Sequence, residues 1–353
     1  MGKMAEHPTV SVAIVNYNGG TTIEPCLESL ERAGGYHEII VVDNASTDGS
    51  PDAIERRFPS VRLVRAGGNL GFAGGNNLAA SLAAADVLAI FNPDAFATRG
   101  WLEPLLAALA AGSAIVSPKI YRGLGEPSTT LDSAGGDLEY PLGEGPPRGY
   151  LEADDGRFEQ RQDVAYCPGA AFVIAKSTYT ALGGLDASFF CYAEESDLCW
   201  RARMRGLRCT YEPASIVYHV GSATFGPRSA QKLFYQTRNR IRMCLQNYAP
   251  RNAARFVAYE AVHGLCVMLA TMFFPAYRDL GSAYARAWFA TLVSLPSILR
   301  KRALRQHERT LGDAEVLRLH RRVGLIATIR RYRTFSGGRS GSLFNSAANV
   351  SHS

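Results

Sequence analysis

The chain has 353 residues, 47% hydrophobic and 20% charged, with a net charge of +6. That balance fits an ordinary globular protein with room for one large domain and an appendage, or for two domains. Residues 300–333 carry +8 and the remainder −2, so the basicity is confined to the C-terminal region, and no nucleic-acid partner is expected. Seven cysteines, an odd number without a CxxC pair, predict buried thiols in a reducing compartment. Met1 to Val10 contain no apolar signal core, and Glu6 stands where a myristoylation motif needs Ser or Thr.

Val10 to Val15 form an apolar run ending in Asn16-Tyr17-Asn18-Gly19-Gly20, a buried strand followed by a loop. Thr21 and Glu24 have capping-box spacing, and Ile23, Cys26, Leu27 and Leu30 mark an amphipathic helix. A strand over Glu38 to Val42 ends at Asp43-Asn44-Ala45-Ser46-Thr47-Asp48-Gly49. A helix over Pro51 to Phe58, a strand over Val61 to Val64, a glycine-rich loop over Gly67 to Gly75, a helix over Asn76 to Ala85 and a strand over Val87 to Phe91 follow. This alternation predicts βαβ units and a mostly parallel sheet, with ligands beyond the carboxyl ends of its strands. Asn16–Asn18, Asp43–Asp48 and Asn92-Pro93-Asp94 are the polar clusters at those ends.

Residues 123–163, rich in Gly, Pro and charge, read as an irregular excursion. Order returns at Ala170 to Ala175. A helix opening on Glu194-Glu195-Ser196-Asp197, with Gly206 placed to end it, precedes strands near Arg208–Tyr211 and Ser215–Tyr218 that end at His219. Phe256 to Phe274 and Ala283 to Leu299 are apolar, broken by Glu260, His263, Arg286 and Pro296. They read as a buried helical hairpin, as interfacial helices, or as a true span, against which a mid-segment Glu260 would be costly. The basic residues that follow favour the second reading, with anionic lipid as partner. The expected division is a catalytic domain over 1–245, a helical membrane-associating extension over 246–335 and a disordered tail over 336–353.

Each polar cluster has a structural and a chemical reading. Asp43 either caps its loop as an Asx-turn or accepts the N3–H of uracil or thymine. Asp94 either completes a turn or holds a divalent cation on a diphosphate. His219, closing a strand, is a structural histidine or, beside Asp94, a second metal ligand. Glu194, Glu195 and Asp197 suit the positive end of a helix dipole, and Asp197 and Arg201 are spaced to pair. The alternative is that one acid takes a proton from an acceptor hydroxyl. Adjacent helical residues point about 100° apart, so Glu194 and Glu195 do not share that role.

Taken together, Val12 to Asn18, Val41 to Gly49, Asn69-Leu70-Gly71-Phe72-Ala73-Gly74-Gly75-Asn76-Asn77, Asn92 to Ala95, Gly183-Gly184-Leu185-Asp186, Tyr192 to Arg203 and His219 resemble the family 2 inverting glycosyltransferases. The likeness is to the rhamnosyltransferase-like branch and covers about residues 9–245. It implies a GT-A type nucleotide-sugar-binding fold. Donor-binding residues would be Asn16, Asp43, Asn44, Asn69, Gly71, Asn92 and Asp94, with Asp43 reading the pyrimidine. Asp94 and His219 would hold Mg²⁺ or Mn²⁺. Glu195 would be the base, with Glu194 as rival, and Asp197, Trp200 and Arg201 would line the acceptor side. Two departures stand out: Asn92-x-Asp94 replaces the frequent Asp-x-Asp, and Glu occupies the base position where Asp is commoner.

The expected activity is inverting transfer of a sugar, first L-rhamnose from dTDP-rhamnose, to a glycan or polyprenyl-diphosphate-linked acceptor in cell-surface polysaccharide synthesis. The expected place is the cytoplasmic face of the cell membrane. A UDP-hexose or galactofuranose donor is the alternative, as is a nucleotide-sugar-binding protein without transfer. A dinucleotide oxidoreductase would need GxGxxG after the first strand, which Asn16 to Gly20 do not supply. A nucleotidyltransferase would carry a basic glycine-rich loop there. Oligomeric state is left open, an oligomer included.

Overall fold

The computed structural model describes residues 8–125, 128–221, 229–273 and 278–323. The parts of 1–136 and 147–224 so described make one compact unit, and those of 137–146 and 225–353 a second. The change of unit near 225 comes earlier than the expected boundary at 245. The tail expected over 336–353 lies outside the described residues.

In the first unit, β1 (Val10–Asn16) and β4 (Val87–Phe91) are buried along their whole length. Such continuous apolar strands belong at the centre of a sheet covered on both faces. They pair in parallel, and β2 (Glu38–Asp43) and β3 (Arg62–Arg65) extend the parallel half beyond β1. The remaining strands are β5 (Ala95–Ala97), β6 (Ile115–Arg122), β7 (Leu131–Ser133), β9 (Gln162–Asp163), β10 (Ala171–Ala175) and β11 (Cys209–His219). The sheet order is β3-β2-β1-β4-β10-β6-β11-β5, with β10 antiparallel to both neighbours. The chain leaves β1 toward β2 on one side and comes back to β4 on the other. The crevice at such a switch point is where open α/β sheets bind ligands.

Helix α1 (Gly20–Ala33) buries Ile23, Cys26, Leu27 and Leu30, the periodic set. The capping box does not form. Gly19 is the N-cap without a side-chain bond, and the Gly20 N–H donates to Asp48 Oδ2 at 2.7 Å. Helix α2 covers Ser50–Arg57 and α3 covers Gly71–Leu82. The glycine-rich stretch expected as a loop is therefore largely the first turn of α3. Its glycines serve close packing: a Cβ on Gly75 would lie 2.7 Å from a Val15 methyl, and one on Gly71 would collide with the Phe190 carbonyl oxygen. Helices α4 (Leu102–Ala110), α5 (Lys176–Ala181) and α6 (Glu194–Met204) complete this unit. The two strands expected before His219 are one, β11, whose register shifts between Glu212 and Ile216, around Pro213.

The expected irregular excursion holds β7, β9 and one strand of the second unit, β8 (Leu138–Tyr140). There β8 pairs in parallel with β12 (His320–Arg322). The second unit is otherwise helical: α7 (Ala230–Asn247), α8 (Pro250–Phe273), α9 (Arg278–Val293), α10 (Leu295–His307) and α11 (Asp313–Val316). Helix α8 buries Phe256, Glu260, His263 and Val267. Glu260 takes both its oxygens to Arg240 Nη2 at 2.8 Å, and also accepts from Tyr284 at 3.0 Å, so its burial is compensated.

Candidate active site

Asn16, at the end of β1, is fully buried, and its amide nitrogen lies 3.0 Å from Asp43 Oδ1 and 2.9 Å from Ser50 Oγ. Asp43 Oδ2 accepts from Ser46 N at 3.2 Å, which is the Asx-turn hydrogen bond. Asn44 donates to the Gly71 carbonyl at 3.0 Å, tying this loop to the start of α3. Asn69 Oδ1 accepts from Gly71 N at 2.9 Å and closes that turn. Asn16 Oδ1 and Asn44 Oδ1 are buried and accept no hydrogen bond among the described residues. Buried acceptors of this kind call for an explanation.

At the end of β4, Asp94 Oδ2 accepts from Gly221 N at 3.1 Å, and Oδ1 lies 3.2 Å from His219 Nε2. Asn92 Nδ2 is 3.3 Å from the same ring nitrogen. His219 reaches this point because β11 pairs with β5, with His219 opposite Ala95. Its other ring nitrogen meets Asp132 Oδ2 at 2.9 Å, and Asp132 Oδ1 accepts from Arg122 at 2.9 Å. Burial works against the charged imidazole, but the hydrogen bonds and charges of Asp132 and Asp94 prevail and raise its pKa to about 10. Asp94 is correspondingly lowered: burial opposes the shift, and the hydrogen bond and charge of His219 outweigh it.

Asp94 and His219 would suit a divalent cation once the His219 ring gives up its proton, because only the neutral imidazole is a ligand. Octahedral Mg²⁺ keeps ligands about 2.0–2.1 Å away, which sets adjacent donors about 3 Å apart, close to the Asp94–His219 separation. Asp132 supplies the carboxylate that usually orients a metal-binding histidine from its far nitrogen. Among the described residues no group of three or more His, Cys, Asp or Glu side chains is placed to hold a metal ion. Two protein ligands leave room for phosphate oxygens and water, as Mg²⁺ sites do.

The third component precedes α6. Phe190, Tyr192 and Ala193 all have φ near +70°, a strained region for residues other than glycine and one that clusters at functional sites. Ala73 N donates to the Phe190 carbonyl at 3.2 Å, and Asn77 donates to Leu185 O at 2.8 Å, so α3 holds both ends of the approach to α6. Glu195 is half-buried, and a Cβ built on Gly169 would lie 3.7 Å from its carboxyl carbon and 3.5 Å from the Phe72 ring. Burial, reinforced by Cys199, pushes the Glu195 carboxyl up to about 7. Glu194 is buried, its Oε2 has no hydrogen-bond partner among the described residues, and burial together with Glu195 raises it well above the carboxylate range.

Residues 11–176 match the family described as Glycosyl transferase family 2. This part of the chain is a glycosyltransferase family 2 domain. The chain is similar to the low-salt glycan biosynthesis hexosyltransferase Agl10 of Haloferax volcanii, 26% identical over 66% of this chain and 74% of that protein. It is also similar to the N-acetylglucosaminyl-diphospho-decaprenol L-rhamnosyltransferase of Mycobacterium tuberculosis, 28% identical over 63% of this chain and 79% of that protein. The resemblance to the rhamnosyltransferase-like branch therefore holds. Among solved structures, GalNAc-T7 with UDP, GalNAc and Mn²⁺ shares the fold, with a TM-score of 0.59 and 18% identity over 72% of this chain and 51% of its own. The fold is thus GT-A, as expected.

Within this glycosyltransferase architecture, three expected acceptor-side residues lie in the interior. Asp197 and Trp200 are fully buried and Arg201 nearly so. Arg201 Nε donates to Asp197 at 2.8 Å and Nη2 to Gly184 O at 2.8 Å, so the pair fastens α6 to the Gly183–Leu185 turn. They act by packing, because α6 is covered on nearly every side beyond its first turn. Sequence reasoning missed Asp132, which stands alone in a stretch without periodicity or motif. It also missed Phe72 and Gly169, whose part depends on neighbours far away in the chain.

Proposed function

We propose that the protein is an inverting glycosyltransferase that moves a sugar from a nucleoside diphosphate to a hydroxyl of a glycan or polyprenyl-diphosphate-linked acceptor. The observation that carries this reading is the half-buried Glu195 carboxyl, raised to about 7 and joined through α3 to the Asp43 and Asn44 loop. A base of that strength is well matched to neutral pH.

In this mechanism Glu195 accepts the proton of the acceptor hydroxyl. The oxygen forms a bond to the anomeric carbon as the bond from that carbon to the diphosphate oxygen breaks, and the electron pair leaves with the diphosphate. A single in-line displacement inverts the configuration. Asn16, Asp43, Asn44, Asn69 and Gly71 shape the nucleotide side. Asp94, with His219 and Asn92, would hold Mg²⁺ or Mn²⁺, which when bound offsets charge on the leaving diphosphate.

The rhamnosyltransferase relative favours an L-rhamnose donor, which we take as dTDP-rhamnose, and a lipid-linked acceptor; the hexosyltransferase relative favours a hexose instead, for which a UDP-hexose is the alternative donor. With such an acceptor, we propose that the enzyme works at the membrane surface, on its cytoplasmic face. A panel of nucleotide sugars, with Mn²⁺ and without, tests the donor, and the anomeric configuration of the product tests inversion. Glu195→Ala is expected to lose transfer by about 100-fold or more while keeping nucleotide binding. Undiminished turnover in that variant would remove Glu195 from the role of base.

A further inference from the structure

The outer face of α8 is apolar without interruption. Between Arg255 and Arg278, the only charged or imidazole side chains among the described residues are Glu260 and His263, and both are buried. Val262, Leu265, Met268, Leu269, Met272 and Phe273 are exposed, Met272 by 76%. On α9, Phe289 and Leu292 are also exposed, at 71% and 59%. Helix α8 is long and apolar enough to cross a membrane, yet only 22% of its apolar window is buried, unlike a core helix. Contiguous exposed apolar patches on soluble proteins mark interaction sites.

Two observations identify the partner. A protein interface carries about one hydrogen bond per 100–200 Å², whereas the exposed side chains of α8 from Val257 to Phe273 offer no hydroxyl, amide or charge. The exposed charges on and beside these helices are mainly basic: Arg251, Arg255, Arg278, Arg286 and Arg300, against Asp279 and Glu308. Apolar surface rimmed by arginine suits acyl chains beneath anionic headgroups. A spanning hairpin is disfavoured, because α9 has 16 residues and an exposed Arg286 at its middle, where a bilayer centre is costly.

We propose that the exposed face of α8 and α9 seats in one leaflet of an anionic lipid bilayer, which deepens the lipid-linked-acceptor reading by naming the surface that meets the lipid. The buried stripe of α8 stays against protein, with Glu260 held by Arg240, while the arginines lie at headgroup level.

Flotation of the full chain tests this with vesicles of phosphatidylcholine containing about one-third phosphatidylglycerol, beside phosphatidylcholine alone. A solvatochromic label on the exposed thiol Cys266, with Cys266→Ser as background, reports insertion. The chain is expected to float with the anionic vesicles, with a blue-shifted label quenched from the acyl phase. Leu265→Glu combined with Leu269→Glu is expected to weaken binding by about tenfold or more, as lost burial of two leucines implies, with helix content unchanged. Absence of flotation, equal binding by the double variant, or an unquenched label would overturn the proposal. So would a self-associated chain that the double variant dissociates and vesicles ignore. Calorimetric binding of dTDP and UDP to the same sample separates the two readings: nucleotide binding without flotation removes only the membrane face, and flotation without nucleotide binding removes only the transferase.

Discussion

Glu195 and Glu194 are neighbours in sequence with different surroundings. Glu195 is partly open to solvent and raised to about 7, while Glu194 is enclosed, with an oxygen that has no hydrogen-bond partner among the described residues. If Glu195 is the base, kcat/KM rises about tenfold per pH unit below 7 and levels above it, which a pH–rate profile reads directly. The same shift carries a stability cost of definite sign. A carboxyl whose folded pKa lies above its ordinary 4.5 binds more protons folded than unfolded, so stability falls as pH rises from 4.5 through about 7. Glu195→Gln should therefore melt higher than wild type at pH 8, with little difference at pH 4, by calorimetry. At the proposed cation site the test residue is Asp132. Asp132→Asn keeps the volume but weakens the orientation of His219, and Mn²⁺ affinity measured by electron paramagnetic resonance should fall about 10–100-fold.

At the scale of elements, α3 is the part that touches both halves of the proposed chemistry. Its first residue, Gly71, has φ +70° and faces the Phe190 carbonyl. Gly71→Ala adds both a strained backbone and a clash, so it should lower the melting temperature and kcat/KM together. Gly67→Ala, where a Cβ meets nothing within 4 Å, though also at positive φ, isolates the contribution of strain alone. In the second unit, Arg240→Met leaves Glu260 buried without its main partner and should cost about 3–5 kcal/mol. Adding Glu260→Leu should recover much of that in denaturant unfolding, since a buried pair replaced by apolar groups is often neutral.

At the scale of the molecule, strands and helices with strong periodicity were legible: Val87–Phe91 matches residue for residue, and α1 buries its four periodic residues. What escaped the sequence depended on tertiary partners. The start of α3 looked like a loop because its glycines answer to Val15 and Phe190, 60 and 115 or more residues away in the chain. The small strands between 123 and 163 have too few residues to show a period. At the site, the polar strand ends announced themselves, but Asp132 joins them only through the β6–β7 pairing. The C-terminal basicity also reads differently in three dimensions. Arg302 and Arg305 donate within the second unit, to Tyr248 O at 2.7 Å and Asn247 Oδ1 at 3.0 Å, so they stabilise the helices and are not free to meet lipid.

The bonds from Asn44 to Gly71, from Ala73 to Phe190 and from Asn77 to Leu185 have a consequence for engineering. They make residues 43–50, 69–77 and 183–195 a single interchangeable cassette spread over three stretches of chain. A chimera that imports only the stretch around Glu195 from a relative would inherit a carboxylate aimed by someone else's helix. Exchanging all three stretches together is the transplant that keeps donor loop and base in register.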